Sequence, residues 1–423
     1  MIKNFSKQQK YTLLVLVFLS TCYFLIFISP NSSSSEGGSV FSIFSNDEYI
    51  TYPYVEKMLT AGKDIHETWG NLIIYGDYHY GYPFYFFSML VLLPRRIILG
   101  EAFFATRTTN ILILRQMINV LPMILAAGIL VYYKTRFKSI VHSITLFLLL
   151  LSVPSVVRSN IWWWHPDSLT FLFIALTFLF LQIDEFQLGK YFFFAALTCG
   201  LAAATKLLGF FFFLTIPIYL LISRRKRNIT WKKIFLRAIL FLLLMFAVIV
   251  ISNPFMWYEI PRNEMIAIQQ FKATELREGY THDDSYFYQK SPLFWEWTIR
   301  TWFGSHAFMI FLGISLVIGI FINKSKFNEN IYLATWSIPF IIYAFYFVAP
   351  KPDHYIFPAL LPLYLTVLDI PIFLFDKWKS MKKNQKAIAF IILCGISILL
   401  LNQFVFSGVK DCTLYQEYLI ENM

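Results

Sequence analysis

Residues 234–252 read IFLRAILFLLLMFAVIVIS, an apolar run in which Arg237 is the one charged side chain. A helix needs about 20 apolar residues to cross the hydrocarbon core of a bilayer, and this run has that length. Helices also satisfy every backbone polar group within lipid. Similar runs lie near 11–29, 111–132, 140–157, 168–184, 191–206, 207–222, 305–322, 331–349, 355–375 and 387–406. The sequence therefore predicts an all-α polytopic membrane protein with about 11 transmembrane helices.

The composition supports this fold class. Apolar residues make up 57% of the 423 residues and charged residues 14%, whereas a soluble domain carries about 25% charged residues. The net charge of +11 comes from lysines and arginines that gather in short loops between the apolar runs. That is the positive-inside pattern, which favours membrane lipids over nucleic acid as partners and places the N-terminus inside and the C-terminus outside.

The same orientation defines the predicted outer face. Residues 84–99 are apolar but short and end at Arg95 and Arg96, so we expect an interfacial or re-entrant helix there. We expect one transmembrane domain over 1–423. Its parts are the N-terminus and helix 1 (1–29), a long outer loop with juxtamembrane helices (30–110), helices 2–7 (111–252), a second long outer loop (253–304) and the C-terminal helices (305–423).

Two acidic residues follow the first predicted span, at Asp47 and Glu48. Carboxylates are costly to desolvate near a membrane and often mark function there. The alternative is a solvated loop acid or a helix N-cap, a position that aspartate favours.

A second candidate site is the segment from Trp162 to Asp167, which contains three tryptophans, His165 and Pro166. The tryptophans are typical of an interfacial aromatic belt, and Asp167 suits the first turn of a helix. Alternatively, His165 and Asp167 orient a sugar or bind a metal ion.

Three further positions carry charges near the predicted outer face. Lys206 lies between two apolar runs, where a lysine either extends toward water, pairs with an acid or binds a phosphate. His282 lies among aromatic residues that stack on sugars or form a folded cap. Lys351 and His354 form a cationic turn that meets a phosphate or lipid headgroups.

Several of these segments occur in an order found in one enzyme class. Asp47-Glu48-Tyr49 is followed by Met58–Gly62, and Gly81–Tyr85 occupies the place of a "KPPL-x-Y-W" segment, without its lysine. A basic residue at Arg107 or Arg115, the helix-opening Asp167, a "tK-x-x-g" turn at Thr205–Gly209 and Tyr355–Pro362 come next. This set, over about residues 40–365, resembles the GT-C-type glycosyltransferases, namely the protein O-mannosyltransferases and lipid A aminoarabinose transferases.

The resemblance implies an inverting glycosyltransferase. It would move a sugar from a polyprenyl-phosphate donor to a lipid, glycan or protein hydroxyl acceptor on the outer face. Asp47 would be the catalytic base. The implied donor-phosphate contacts are Lys206, Lys351, His354, Tyr82 and Arg115; the implied acceptor and sugar contacts are Glu48, His165, Asp167 and His282. Some members of the class use a divalent metal ion, for which Glu48 and Asp167 would be ligands.

Two other functions fit many of the same features. A transporter or flippase of lipid-linked sugars also needs many spans and an outer cationic pocket, but transporters often have repeated halves and broken helices at the midplane. The third hypothesis is that the protein is a non-catalytic subunit that binds such lipids. There is no glycine-rich phosphate loop, which disfavours an ATP-driven pump. Frequent Lys, Asn, Ile and Phe indicate a low-GC bacterium, hence undecaprenyl phosphate and the cytoplasmic (inner) membrane.

Overall fold

The structure is a computed structural model that describes residues 5–33, 46–161, 163–279, 289–322 and 327–421. For residues 46, 47, 49 and 415–421 it describes the backbone conformation alone. Within these ranges every regular element is helical. The α-helices are α1 (Lys7–Ile26), α2 (Ile28–Ser33), α3 (Asn46–Met58), α4 (Ile65–Ile73), α5 (Tyr82–Leu99), α6 (Arg107–Leu114), α7 (Leu121–Thr135), α8 (Ile140–Leu151), α9 (Pro154–Ile161), α10 (Asp167–Asp184), α11 (Lys190–Lys206), α12 (Thr215–Arg227), α13 (Trp231–Ile251), α14 (Glu259–Glu278), α15 (Glu296–Trp302), α16 (His306–Phe321), α17 (Phe327–Phe347), α18 (Phe357–Leu360), α19 (Asp369–Lys377) and α20 (Lys383–Glu421).

Short tighter or wider helical turns join several of these helices. The 3₁₀ turns are Gly100–Ala105, Leu208–Phe213, Pro254–Trp257, Pro292–Trp295, Asp353–Tyr355, Leu361–Leu368 and Trp378–Ser380. One π-helical turn, Arg115–Val120, lies between α6 and α7.

The described residues form eight helical segments that are long and apolar enough to cross a membrane, so the predicted all-α polytopic membrane protein is confirmed. These segments are Lys7–Ser32, Arg107–Thr135, Asp167–Asp184, Leu208–Arg227, Trp231–Ile251, Phe327–Phe347, Phe357–Ser380 and Lys383–Leu414. Two bent helix pairs raise the number to ten.

The described residues form fewer spans than the eleven expected, because some of the expected spans are short or bent. The helix α11, over the expected span 191–206, has 17 residues and ends where Leu207 adopts a left-handed conformation with φ of 57°. The expected span 140–157 consists of α8 and α9, which are bent by 58° ahead of Pro154. The helix α5, expected to be interfacial, has 18 residues and is not among the eight described spans.

The chain divides into two compact units. The first unit contains residues 1–16, 130–157 and 278–416; the second contains residues 17–129, 158–277 and 417–423. The expected division of the chain into one transmembrane domain stays a prediction.

A buried ion pair lies in the core of the first unit. Lys134 Nζ lies 2.5 Å from Asp369 Oδ1 and donates to Asn330 Oδ1 at 3.2 Å, and the side chains of Lys134 and Asp369 are fully buried. Gly319 makes room for this contact, since a Cβ there would lie 1.9 Å from Asn330 Nδ2. Partners about 200 residues away in the chain thus hold Lys134 inside the protein.

The second unit has a core of tyrosine, phenylalanine and tryptophan. Tyr52, Tyr75, Phe84, Phe103 and Trp164 are among its buried members. Beside this core, α10 packs along α11, and α11 packs along α13. The candidate site is built where these helices begin or end.

Candidate active site

The segment between α9 and α10 is fixed by Trp164, which is almost fully buried. Its indole Nε1 donates to Ser88 Oγ at 3.1 Å, and its ring stacks on Phe84 with centroids 4.7 Å apart. Its backbone N–H donates to Glu48 Oε1 at 2.5 Å. The aromatic-belt interpretation is therefore wrong for Trp164, which is a core residue that holds the neighbouring His165 in place.

Glu48 and Arg115 form a buried ion pair. Arg115 Nε donates to Glu48 Oε1 at 2.9 Å, and an Arg115 terminal nitrogen lies 2.5 Å from Glu48 Oε2. The side chains are 1% and 0% exposed, and this fork-shaped geometry is the strong form of a charge-assisted hydrogen bond. Glu48, a predicted acceptor contact, thus binds Arg115, a predicted donor-phosphate contact.

Arg115 is the first residue of the π-helical turn. Asn119, in the same turn, binds the backbone on both sides of Trp164. Asn119 Oδ1 accepts from the backbone N–H of His165 at 3.2 Å. Its Nδ2 donates to the backbone oxygens of Ser159, at 3.0 Å, and of Trp163. A π-helical turn often marks a functional site, and this one fixes the backbone from 163 to 165 through two of its residues.

Asp47, the predicted base, is the second residue of α3, and its side chain lies outside the described part of the chain. Its Cα is about 3.8 Å from that of Glu48, as in any trans peptide. Because Glu48 binds Trp164, Asp47 is one residue away from that contact.

Four side chains form a polar cluster at the start of α10. Asp167 Oδ1 accepts from Lys206 Nζ, and Asp167 Oδ2 lies 2.7 Å from His165 Nδ1. His165 Nε2 lies 2.7 Å from the hydroxyl of Tyr80. We name Tyr80, His165, Asp167 and Lys206 the Asp167 cluster. The structure brings Lys206 together with His165 and Asp167, which the sequence singled out in a different segment.

Helix ends explain why these charges are stable in their positions. Asp167 is the first residue of α10, where the helix dipole favours an anion, and Lys206 is the last residue of α11, where it favours a cation. Asp167 is 2% exposed, whereas the Lys206 side chain is 18% exposed. The Lys206 side chain is therefore the more exposed partner of this ion pair.

Gly81 lets the segment 75–82 approach the end of α11. Its N–H donates to the backbone oxygen of Thr205 at 3.1 Å. A Cβ at Gly81 would lie 1.5 Å from the backbone oxygen of Ala204, so only glycine fits without a shift of the backbone. This close contact places the Tyr80 side chain next to His165.

The same segment contains a buried acid that the sequence analysis missed. Asp77 accepts from the hydroxyl of Tyr85, from His79 N–H at 3.0 Å and from His79 Nδ1 at 2.6 Å. Burial acts to raise the pKa of Asp77, but these hydrogen bonds outweigh it and hold the pKa below its usual range. The tyrosine-rich run from 75 to 85 was the available signal, and it did not single out Tyr80 or Asp77.

Tyr82, a predicted donor contact, begins α5. Its N–H donates to Asn253 Oδ1 at 2.9 Å, its ring stacks on Phe86 with centroids 5.7 Å apart, and burial raises its pKa to about 12. The backbone contact anchors the end of the segment that carries Tyr80.

Lys351 and His354 belong to the first unit. Lys351 Nζ donates to the backbone oxygen of Ala349 at 2.5 Å, and burial together with the positive charge of Lys290 lowers the pKa of Lys351 to about 8. The His354 ring lies 4.5 Å from the Tyr355 ring, centroid to centroid. Their predicted phosphate contacts stay predictions, as does the role of His282, which lies outside the described residues.

The binding of a divalent metal ion by Glu48 and Asp167 stays a prediction. Among the described side chains, no three His, Cys, Asp or Glu residues come close enough together to bind one. Arg115 binds Glu48, and Lys206 binds Asp167, so cations already neutralise the two predicted metal ligands.

Comparison with known proteins identifies the fold. Neither a family model nor a curated protein matches the sequence. The crystal structure of ArnT from Cupriavidus metallidurans bound to undecaprenyl phosphate is similar over 97% of this chain and 76% of that chain, with a TM-score of 0.51 and 14% identity. The chain has the GT-C fold.

A weaker similarity involves the Archaeoglobus fulgidus oligosaccharyltransferase in its apo form. It extends over 93% of this chain and 56% of that chain, with a TM-score of 0.47 and 14% identity. The GT-C fold expected from the sequence motifs is thus confirmed by the first of these structures.

Proposed function

We propose that this protein is an inverting glycosyltransferase that moves a sugar from a polyprenyl-phosphate donor to a hydroxyl acceptor on the outer face of a bacterial cytoplasmic membrane. Its GT-C fold supports a glycosyltransferase. The crystal of the ArnT structure that shares this fold contains undecaprenyl phosphate, which supports a polyprenyl-linked donor.

The proposal rests on one contact, the hydrogen bond that the Trp164 N–H donates to Glu48 Oε1. It joins the residue after Asp47 to the residue before His165. The predicted base therefore belongs to the same part of the second unit as the Asp167 cluster. A base, a cation and hydrogen-bonding side chains are the groups that the transfer requires.

The reaction would proceed as a single displacement at the anomeric carbon. The acceptor oxygen attacks that carbon while its proton passes to the Asp47 carboxylate, which acts as general base. The bond from the anomeric carbon to the phosphate oxygen breaks on the opposite side, so the configuration inverts. Polyprenyl phosphate leaves with the bonding electrons.

Lys206 would stabilise the charge that develops on the leaving phosphate. An oriented cation in a site of low dielectric is effective because it needs no reorganisation during the reaction. Asp167 would hold that ammonium in place, while His165 and Tyr80 would bind sugar hydroxyls. Arg115 and Glu48 would act indirectly, by fixing the backbone of Trp164.

The test is an assay of the purified protein in detergent with a panel of radiolabelled polyprenyl-phosphate sugars and candidate hydroxyl acceptors. We expect one donor to release polyprenyl phosphate with the wild type and none to do so with Asp47→Asn. Glu101→Gln, which changes an exposed carboxylate in the same outer region, is the matched control and should behave as the wild type.

Other outcomes would redirect the proposal. Saturable donor binding without release would favour a transporter or a binding subunit, which a vesicle transport assay then separates. Release by Asp47→Asn at the rate of the wild type would leave the transferase standing and exclude Asp47 as its base.

A further inference from the structure

The helix α14, in the expected second outer loop, presents one face to the segment 75–82. Met265, Ile268, Gln269 and Lys272 follow the i, i+3, i+4, i+7 spacing of a single helix face. Met265 and Ile268 pack against the aromatic core of the second unit. This packing places the two polar side chains of the face next to the backbone of the segment.

Both polar side chains bind backbone oxygens just before Tyr80. Gln269 Nε2 donates to the oxygen of Tyr78 at 3.2 Å, and Lys272 Nζ donates to the oxygen of His79 at 2.7 Å. Beyond Tyr80, the segment is anchored by Gly81 on Thr205 and by Tyr82 on Asn253. The backbone is thus anchored on both sides of Tyr80. On the N-terminal side the anchoring hydrogen bonds come from α14.

Lys272 also contacts Tyr80 itself. Its Nζ lies 4.4 Å from the centroid of the Tyr80 ring, within the range of a cation–π interaction. The hydroxyl of the same ring lies 2.7 Å from His165 Nε2. The Tyr80 side chain therefore lies between Lys272 and His165.

We infer that Lys272 is a positioning residue that holds Tyr80 against His165 and so keeps the Asp167 cluster in its reactive arrangement. This inference rests on the proposed function for its effect on catalysis. It assigns a role to α14, which the sequence motifs left without one. Lys272 acts through Tyr80, and Gln269 supports it on the neighbouring backbone oxygen.

The main test is the steady-state kinetics of Lys272→Met, which keeps most of the length of the side chain and removes its charge. We expect kcat to fall by about tenfold or more with the donor KM unchanged, because a misplaced active-site group slows the chemical step. Lys272→Arg should restore most of kcat, since a guanidinium also donates hydrogen bonds and stacks on an aromatic ring. Arg262→Met removes a charge from an exposed position of the same helix and should leave both constants unchanged.

A double-mutant cycle separates positioning from direct substrate binding. Tyr80→Phe keeps the ring under Lys272 but removes the hydroxyl that meets His165. If Lys272 acts through Tyr80, Lys272→Met lowers kcat no further in the Tyr80→Phe background. A direct contact with a substrate anion would instead raise the donor KM and add to the effect of Tyr80→Phe, which would overturn the inference.

Hydrogen exchange of the amides in residues 75–82 tests the inference without an activity assay. We expect Lys272→Met and Gln269→Met to speed exchange there, whereas Arg262→Met should not. Unchanged exchange in both variants would refute the inference even if no donor is ever found. Faster exchange combined with an inactive wild type would instead count against the proposed function alone.

Discussion

Glu48 Oε1 accepts hydrogen bonds from both Arg115 Nε and the backbone N–H of Trp164. One carboxylate thus connects α3, the π-helical turn and the segment that leads into α10. Because Asp47 precedes Glu48 and His165 follows Trp164, this contact holds the backbone at Asp47 near the backbone at His165.

Loss of one partner of this ion pair should be severe. Glu48→Ala leaves the Arg115 guanidinium buried without its carboxylate, and we expect a loss of about 3–5 kcal/mol in the free energy of unfolding. Thermal and denaturant unfolding of the detergent-solubilised protein measure it. Glu101→Ala removes an exposed partner of Arg96 and should cost at most about 1 kcal/mol. Equal effects of the two changes would contradict the assigned role of Glu48.

Gly81→Ala should disrupt the site at its narrowest contact. The added Cβ would lie 1.5 Å from the Ala204 oxygen, so the segment 75–82 must move away from α11 and take Tyr80 with it. We expect lower stability and loss of transfer. The control is Gly70→Ala, where a Cβ meets nothing within 4 Å and a helix interior gains about 0.5–1 kcal/mol from alanine. Full activity of Gly81→Ala would show that the contact is dispensable.

Lys206→Met should slow transfer by about a hundredfold or more, the effect of removing one electrostatic stabiliser from an active site. It also leaves Asp167 without its ammonium, so part of the loss will come from folding. The double variant Asp167→Asn/Lys206→Met removes both charges and should recover stability but not kcat. Recovery of kcat in the double variant would mean that Lys206 serves the fold alone.

Anion binding in the first unit should depend on pH through Lys351. Its pKa is lowered from 10.5 to about 8, so its ammonium is lost as the pH rises through that value. We expect binding of polyprenyl phosphate to weaken between about pH 7 and pH 9 in the wild type but not in Lys351→Arg, since arginine stays charged. Equilibrium binding with a radiolabelled lipid gives the comparison, and identical profiles for both proteins would contradict the predicted contact.

The free energy of unfolding should rise with pH where binding of the anion weakens, because the same titration of Lys351 affects both. Between about 8 and 10.5 the unfolded chain binds more protons at Lys351 than the folded protein does, so stability from this group rises with pH there. Unfolding of the wild type and of Lys351→Met across this range checks the sign.

Local composition was enough to predict the transmembrane helices, because each apolar run signals its own preference for lipid. It failed where a helix bends. The end of α11 at Lys206 agrees with the predicted turn at Thr205–Gly209, whereas α9 begins at a bend that periodicity does not reveal. The buried contact of Lys134 with Asp369, 235 residues away in the chain, is likewise invisible in any local pattern.

By itself, the sequence determined the fold class and pointed to Asp47, Glu48, His165, Asp167 and Lys206. Only the tertiary structure decided which charges meet. Glu48 binds a guanidinium 67 residues away and a backbone N–H 116 residues away, and Asp167 binds an ammonium 39 residues away. The physical reason is that hydrophobicity acts on each segment separately, whereas a buried charge is stable only beside a partner that packing of the whole unit supplies.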